Sequence, residues 1–243
     1  MSRPRPFGTD RHTLGRAVLV AIGITLTLYA LAWWLPMLGW LAWPLLLFST
    51  IAHELGHGLT ALLLGADFER LLVYADGSGV AEYRAAFGAP AQALVAAMGP
   101  LGPPLVAAVL FVAARHARSA RLALFALGAA FLLAAGLWAG NVFGFMCLLT
   151  FAAGMLWLAW RGSTAAHQIA VAFLAIQLSL AAFSRADYLF SATANTGAGP
   201  MPSDTTQIAM ALGLTHWVWG TLLAVCSLAV LVFGARVLLR ALR

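Results

Sequence analysis

Long apolar runs, broken by short polar or basic stretches, organise this chain. They fall at about 15–35, 38–65, 91–114, 120–137, 139–160, 164–184 and 215–239. Runs near twenty residues match the hydrocarbon thickness of a bilayer when coiled as helices. The pattern predicts an all-α polytopic membrane protein with six or seven transmembrane segments. The run 120–137 is short for a full crossing and is expected to form a bent pair with its successor across Gly136, Gly140 and Asn141. Tryptophans 33, 34, 40, 157, 160, 217 and 219 lie near segment ends, where an aromatic belt meets the headgroups.

Two stretches break the apolar rule. Residues 66–88 hold Asp76-Gly77-Ser78-Gly79 between LLVY and VAEY, an Asp-Gly turn between β-prone runs that predicts a hairpin. Residues 185–214 form a small, polar loop that leads into DTTQIAMAL from Asp204, a short helix. No internal repeat is visible, and the whole of 1–243 reads as one integral-membrane domain behind a basic tail, 1–14. That tail resembles the start of a signal sequence, with Ala30-Leu31-Ala32 as a small-x-small site. The apolar run continues past it to Trp33-Trp34, so the segment is read as an uncleaved first span.

Composition agrees with the pattern. The chain is 63% hydrophobic and 9% charged, where soluble domains carry about a quarter charged residues. The net charge of +6 comes from fourteen arginines and no lysine. Few charges and long apolar runs point to a lipid bilayer as partner and away from nucleic acid. If seven segments all crossed, the arginines would divide seven and seven between the two faces, so the positive-inside rule would give no orientation. Either one segment is re-entrant or the count is not seven. Cys147 and Cys226 lie far apart in apolar runs and read as core thiols. Abundant Ala, Gly and Arg fits G+C-rich coding and hence a bacterial inner membrane.

The candidate chemistry lies within the second run. His53-Glu54-Leu55-Gly56-His57 spells HExxH, with no other charge from Trp40 to Ala66. On a helix through 50–64 the two imidazoles at i and i+4 share a face and chelate one metal, zinc by preference. Glu54 is offset by one residue, so it addresses a water beside the metal as a general base. The competing reading is a chance match whose histidines pair with neighbouring helices. Only three glutamates and six histidines are available to make such a match, and ionisable groups at membrane depth are costly and usually functional.

HELGHGLTALLLG resembles the extended HExGHxxxAxxxG pattern of site-2 protease-type intramembrane zinc metalloproteases, through Gly56, Ala61 and Gly65 as well as the core. Gly99-Pro100-Leu101 is similar to that group's GPLxN segment, with Pro103 where the asparagine would stand, and DGSGV looks like its divergent B-like branch. The resemblance is close over about 50–105 and loose elsewhere. It implies a zinc endopeptidase that cuts a membrane-protein substrate in or near a transmembrane segment, as in regulated intramembrane proteolysis; the hairpin's free edge is a candidate to receive the substrate as an added strand. In that group an aspartate in an LDG segment supplies the third ligand, and no Asp-Gly follows Asn141 here.

Asp204 is the favoured third ligand, because Ser-Asp-Thr-Thr resembles a Ser-Asp-Ala segment of the divergent branch. It stands against the reading that Ser203 or Asp204 only caps a helix, and Asp187 is the alternative ligand. Asn141 is a candidate hydrogen-bond donor to substrate or to a developing oxyanion. The opposing reading makes it a bridge between helices. Gly99-Pro100 and Pro103-Pro104 predict a broken helix near the metal. His167 and His216 read as packing or interfacial residues. Two further readings stay open. One is the other membrane HExxH class, whose third ligand is a later glutamate, here Glu69 or Glu82. The second is a catalytically silent metal-binding membrane protein that keeps the protease fold.

Overall fold

A computed structural model of the protein describes residues 11–184 and 186–243. The helices are α1 (Arg11–Trp34), α2 (Trp43–Leu63), α3 (Ala89–Ala114), α4 (Ala117–Trp138), α5 (Val142–Arg161), α6 (Thr164–Ser184), α7 (Asp204–Leu212) and α8 (His216–Leu242). Two antiparallel hairpins complete it: β1 (Asp67–Val73) with β2 (Gly79–Arg84), and β3 (Thr193–Thr196) with β4 (Gly199–Pro202). The mostly helical, multi-pass architecture with a hairpin after the motif helix is the one expected, and the protein is an integral membrane protein. The second hairpin is new, since 185–214 was expected to hold only a loop before its short helix.

Six helices are long and apolar enough to cross a bilayer: α1, α3, α4, α5, α6 and α8. The motif helix α2 is not among them, because Ser49, Thr50, His53, Glu54 and His57 dilute its apolar run. Contacts between helix ends give the direction of each span. Gly15 of α1 lies beside Leu242 of α8. Gln168 of α6 donates to the Ala114 carbonyl at the end of α3 (2.9 Å), and Arg121 of α4 donates to Ala159 near the end of α5 (2.8 Å). The starts of α1, α4 and α6 and the ends of α3, α5 and α8 therefore share one end of the molecule, the basic end.

The segment between α1 and α3 begins and finishes at the opposite end. At the start of α2, Trp43 donates to the Ala75 carbonyl (2.9 Å) and packs on Phe143 in the first turn of α5. Near its finish, Ala61 packs against Val95 in the early turns of α3. Thus 38–65, expected as a crossing, is a 3-10 turn (Pro36–Leu41) followed by a re-entrant helix. The expected bent pair at 120–160 is also corrected: α4 has 22 residues and α5 has 20, and each is a full-length helix.

The predicted break in the third span does not occur. Helix α3 runs unbroken through Pro100, Pro103 and Pro104. Each proline lacks an N–H, which leaves the carbonyl four residues earlier without its helical donor. Inside a packed bundle, neighbouring groups make this tolerable. Helix α3 packs on α2, α6, α7 and α8 and is the hub of the bundle. Its small residues allow close approach: a Cβ on Gly56 of α2 would meet the Met98 carbonyl, and one on Gly102 would stand 2.6 Å from the Ala52 carbonyl.

The first hairpin lies along α2. Its turn closes with Gly77 at φ 87°, a left-handed conformation suited to glycine. Asp76 Oδ1 accepts from the Ser78 N–H at 2.8 Å. Thr50 of α2 donates to the Gly77 carbonyl at 2.6 Å, so the turn is pinned one helical turn before the motif.

Candidate metal centre

Among the described residues one group of His, Cys, Asp and Glu side chains converges: His53, His57 and Asp204. The two histidines face the same way because they are one turn apart on α2. Asp204 reaches them from the first residue of α7, 147 positions after His57. Capping duty falls to Ser203, whose Oγ accepts from the Thr206 N–H (3.3 Å) and donates to the Ser191 carbonyl (2.6 Å). The Asp204 carboxylate is thereby left for the histidines.

The distances within the cluster are short. His53 Nε2 lies 3.1 Å from Asp204 Oδ2, His57 Nε2 lies 3.2 Å from Asp204 Oδ1, and the two Nε2 atoms are 3.2 Å apart. Burial alone would raise the Asp204 carboxyl, but His57 and His53 beside it hold it well below the usual carboxylate range. His57 Nδ1 stands 2.8 Å from the Val95 carbonyl. A carbonyl only accepts, so Nδ1 carries a proton and Nε2 is the nitrogen that faces the cluster.

This donor set fits a metal. Two imidazole nitrogens and a carboxylate are a common zinc ligand set, and ligands at about 2.0–2.1 Å in tetrahedral array stand roughly 3.3 Å from one another. Lone pairs converging at this range repel unless a positive charge sits among them. The surroundings make room for the ring and no more: a Cβ on Gly99 would stand 2.0 Å from His57 Nε2.

A cavity of about 320 Å³ opens beside the cluster. Thr50, His53 and Glu54 form one wall, Pro100 and Pro103 a second, and Gly79 with Thr193–Thr196 of β3 the cover. Glu54 is buried beside β2. Gly79 keeps the strand close, since a Cβ there would stand 2.7 Å from Glu54 Cγ. The two hairpins meet above the cavity, where the Gly197 N–H donates to Ser78 Oγ at 2.9 Å.

Asn141 is placed elsewhere. Its Nδ2 donates to the Val73 carbonyl (2.8 Å) and its Oδ1 accepts from the Gly144 N–H (3.0 Å), so it caps α5 and holds the end of β1. It does not line the cavity, and the expected donor to substrate is a bridge between elements. The side chain of Asp187, the alternative ligand, lies outside the described residues. Glu69 and Glu82 are paired with Arg84 (2.6 Å) and Arg70 (2.8 Å), which leaves the glutamate-ligand class without a ligand here. His167 bonds the Leu158 carbonyl (3.1 Å) and is a packing histidine.

Tyr188 was not anticipated. Its hydroxyl donates to Asp204 Oδ2 at 3.1 Å and its ring meets His53 edge-on, with centroids 6.0 Å apart. A single tyrosine after a span carries no periodic signal. The second hairpin left a trace, since polar Thr193–Thr196 precedes Gly197-Ala198-Gly199, a strand followed by a glycine turn.

Among known proteins, the family model described as Peptidase M50B-like matches residues 16–234. No curated protein and no solved structure matches the chain.

Proposed function

The chain belongs to the Peptidase M50B-like family, whose membership implies a membrane-embedded metalloprotease, and from that premise we propose a zinc-dependent intramembrane endopeptidase. It hydrolyses a peptide bond in or near a transmembrane segment of a membrane-protein substrate. The observation that carries this reading is the convergence of His53, His57 and Asp204 at the wall of a cavity that Glu54 also lines. His53, His57 and Asp204 are the proposed zinc ligands. Bound there, zinc supplies Lewis acidity, which makes a water nucleophilic near neutral pH and polarises a carbonyl.

The chain's own residues supply the rest. Glu54 takes a proton from the attacking water at its carboxylate and returns it to the amide nitrogen as the C–N bond breaks. The close approach of Gly79 in β2 confines the Glu54 side chain. His57 keeps its ring orientation through the Val95 carbonyl, and Tyr188 steadies Asp204. A helical substrate hides its peptide bonds, so the cleaved segment must unwind. The outer edge of β2 then receives it as an added strand.

The test is metal content beside cleavage in detergent-purified protein. We expect about one zinc per chain in the wild type and in Glu54→Gln, and loss of zinc in His57→Ala and Asp204→Ala. Cleavage of a transmembrane peptide should fall roughly 10²–10⁴-fold in Glu54→Gln. Cleavage untouched by Glu54→Gln would remove the mechanism. Zinc binding in the wild type without any cleavage would favour a silent metal-binding protein.

A further inference from the structure

A second cavity lies far from the metal centre, between the later turns of α3 and α8, and holds about 550 Å³. That size falls within the roughly 300–1,000 Å³ of small-molecule sites. Ala108 is its floor, where the two helices touch: a Cβ on Gly234 would stand 2.7 Å from Ala108 Cα. Leu105, Val109 and Val112 make one wall, and Ala229, Val230 and Phe233 the other. Every one of these side chains is apolar. Val109 and Phe233 are 64% and 63% exposed, so the groove opens sideways from the bundle into lipid. From Leu105 to Val112 it runs about 10 Å at 1.5 Å per residue, roughly a third of the hydrocarbon core.

The groove leads to charge. Helices α3 and α8 both finish at the basic end, just beyond it. On α3, Arg115 follows Val112 by three residues, and its Nε donates to the Val112 carbonyl at 3.2 Å, which lays the guanidinium against the groove wall. On α8, Ala229, Phe233, Arg236 and Arg240 succeed one another at spacings of three or four and so share a face. Arg236 and Arg240 are exposed, and no ion pair among the described residues involves them. An apolar furrow that ends in three guanidinium groups is complementary to a molecule with a hydrocarbon tail and an anionic head.

We propose that the α3–α8 groove binds an anionic phospholipid of the surrounding bilayer, with one acyl chain between Val109 and Phe233 and the phosphate held by Arg115, Arg236 and Arg240. The guanidinium fork keeps its charge at any physiological pH and matches phosphate oxygens in pairs. A zwitterionic lipid carries its own cation beside the phosphate, so these arginines favour a headgroup of net negative charge. The bound lipid bridges α3, which packs on the motif helix, to α8.

Native mass spectrometry of the detergent-purified chain tests this, with phosphatidylglycerol and phosphatidylcholine of the same acyl chains as probes. The wild type should hold about one phosphatidylglycerol, at least tenfold more tightly than phosphatidylcholine. An arginine beside anionic lipid contributes about fivefold, so Arg236→Gln combined with Arg240→Gln should lose at least tenfold in phosphatidylglycerol affinity. Ala229→Trp fills the groove and keeps every arginine, and a similar loss is expected. Arg161→Gln, at the same end but on α5, should bind like the wild type. Equal affinity for the two lipids, or full affinity in the double variant, overturns headgroup recognition. Full affinity in Ala229→Trp overturns the groove as the acyl site, and an equal loss in Arg161→Gln reduces the effect to diffuse surface charge. A dimer present in the wild type and lost in Ala229→Trp would give the groove to a second copy instead. Val109→Trp, on the opposite wall, takes the place of Ala229→Trp should that variant fail to accumulate. Lipid binding requires neither metal nor cleavage. A chain that binds lipid as expected but holds no zinc keeps this site and loses the enzyme reading.

Discussion

At the scale of single residues, the cluster depends on groups that orient its ligands as much as on the ligands. Tyr188 donates to one oxygen of Asp204, and the Val95 carbonyl accepts from the far nitrogen of His57. Partners of this kind set ligand direction, and losing one typically lowers metal affinity about 10–100-fold. Tyr188→Phe removes one hydroxyl and leaves the ring beside His53. We expect zinc affinity, measured by competition with a chelator, to fall within that range while the helical signal stays unchanged. Unaltered affinity would leave Tyr188 as packing only. Asn141→Ala acts differently, because its amide serves a helix end and a strand. Losing the cap costs about 1 kcal/mol, with a similar amount for the freed Val73 carbonyl. A lower thermal midpoint with zinc retained is the expected result, and loss of zinc would show that Asn141 also supports the cluster.

At the scale of elements, the first hairpin has two unlike edges. Beyond β1, the Gly140 N–H donates to the Leu71 carbonyl (2.9 Å), so that edge is occupied by the α4–α5 turn. Leu71 pairs with Ala81 across the hairpin, while the Tyr74 N–H donates to the Ser78 carbonyl (2.9 Å), so alternation from Ser78 turns the backbone groups of Ala81 away from β1. By the two-residue alternation of strands, Tyr83 also turns its backbone groups outward. This is the edge on which a substrate strand would form its ladder. Tyr83→Pro removes the outward N–H, and Tyr83→Ala controls for loss of the ring. Cleavage should fall at least tenfold further in the proline variant, with zinc unchanged in both. Equal cleavage by the two variants would exclude strand addition at this position.

For the whole molecule, α3 ties the metal centre to the bundle. It carries Val95 and Gly99 against His57, and further along it packs on α8, where a Cβ on Gly234 would stand 2.7 Å from Ala108 Cα. Overpacking such a contact costs about 1–3 kcal/mol. Gly234→Leu should therefore lower the thermal midpoint in detergent, and the zinc loss should follow unfolding. A variant as stable as the wild type would show that α8 shifts freely on α3.

By themselves, the residues of this chain determined its membrane class, its hairpin and its nearest pair of candidate ligands. Each of these is written in local order: apolar runs of bilayer length, Asp-Gly between β-prone segments, and His53 and His57 spaced by one helical turn. What the tertiary structure decided lies at long range. Asp204 approaches His57 from far along the chain, and whether it caps its helix or turns to the histidines depends on Ser203 taking the cap. Asn141 has the chemistry of an oxyanion donor, yet β1 claims its amide. The motif helix is nearly as apolar as a span, and only its packing near both ends against α5 and early α3 makes it re-entrant. That one helix changes the parity of every later loop, so most of the arginines that local pattern divided evenly are gathered by the fold at one end of the bundle.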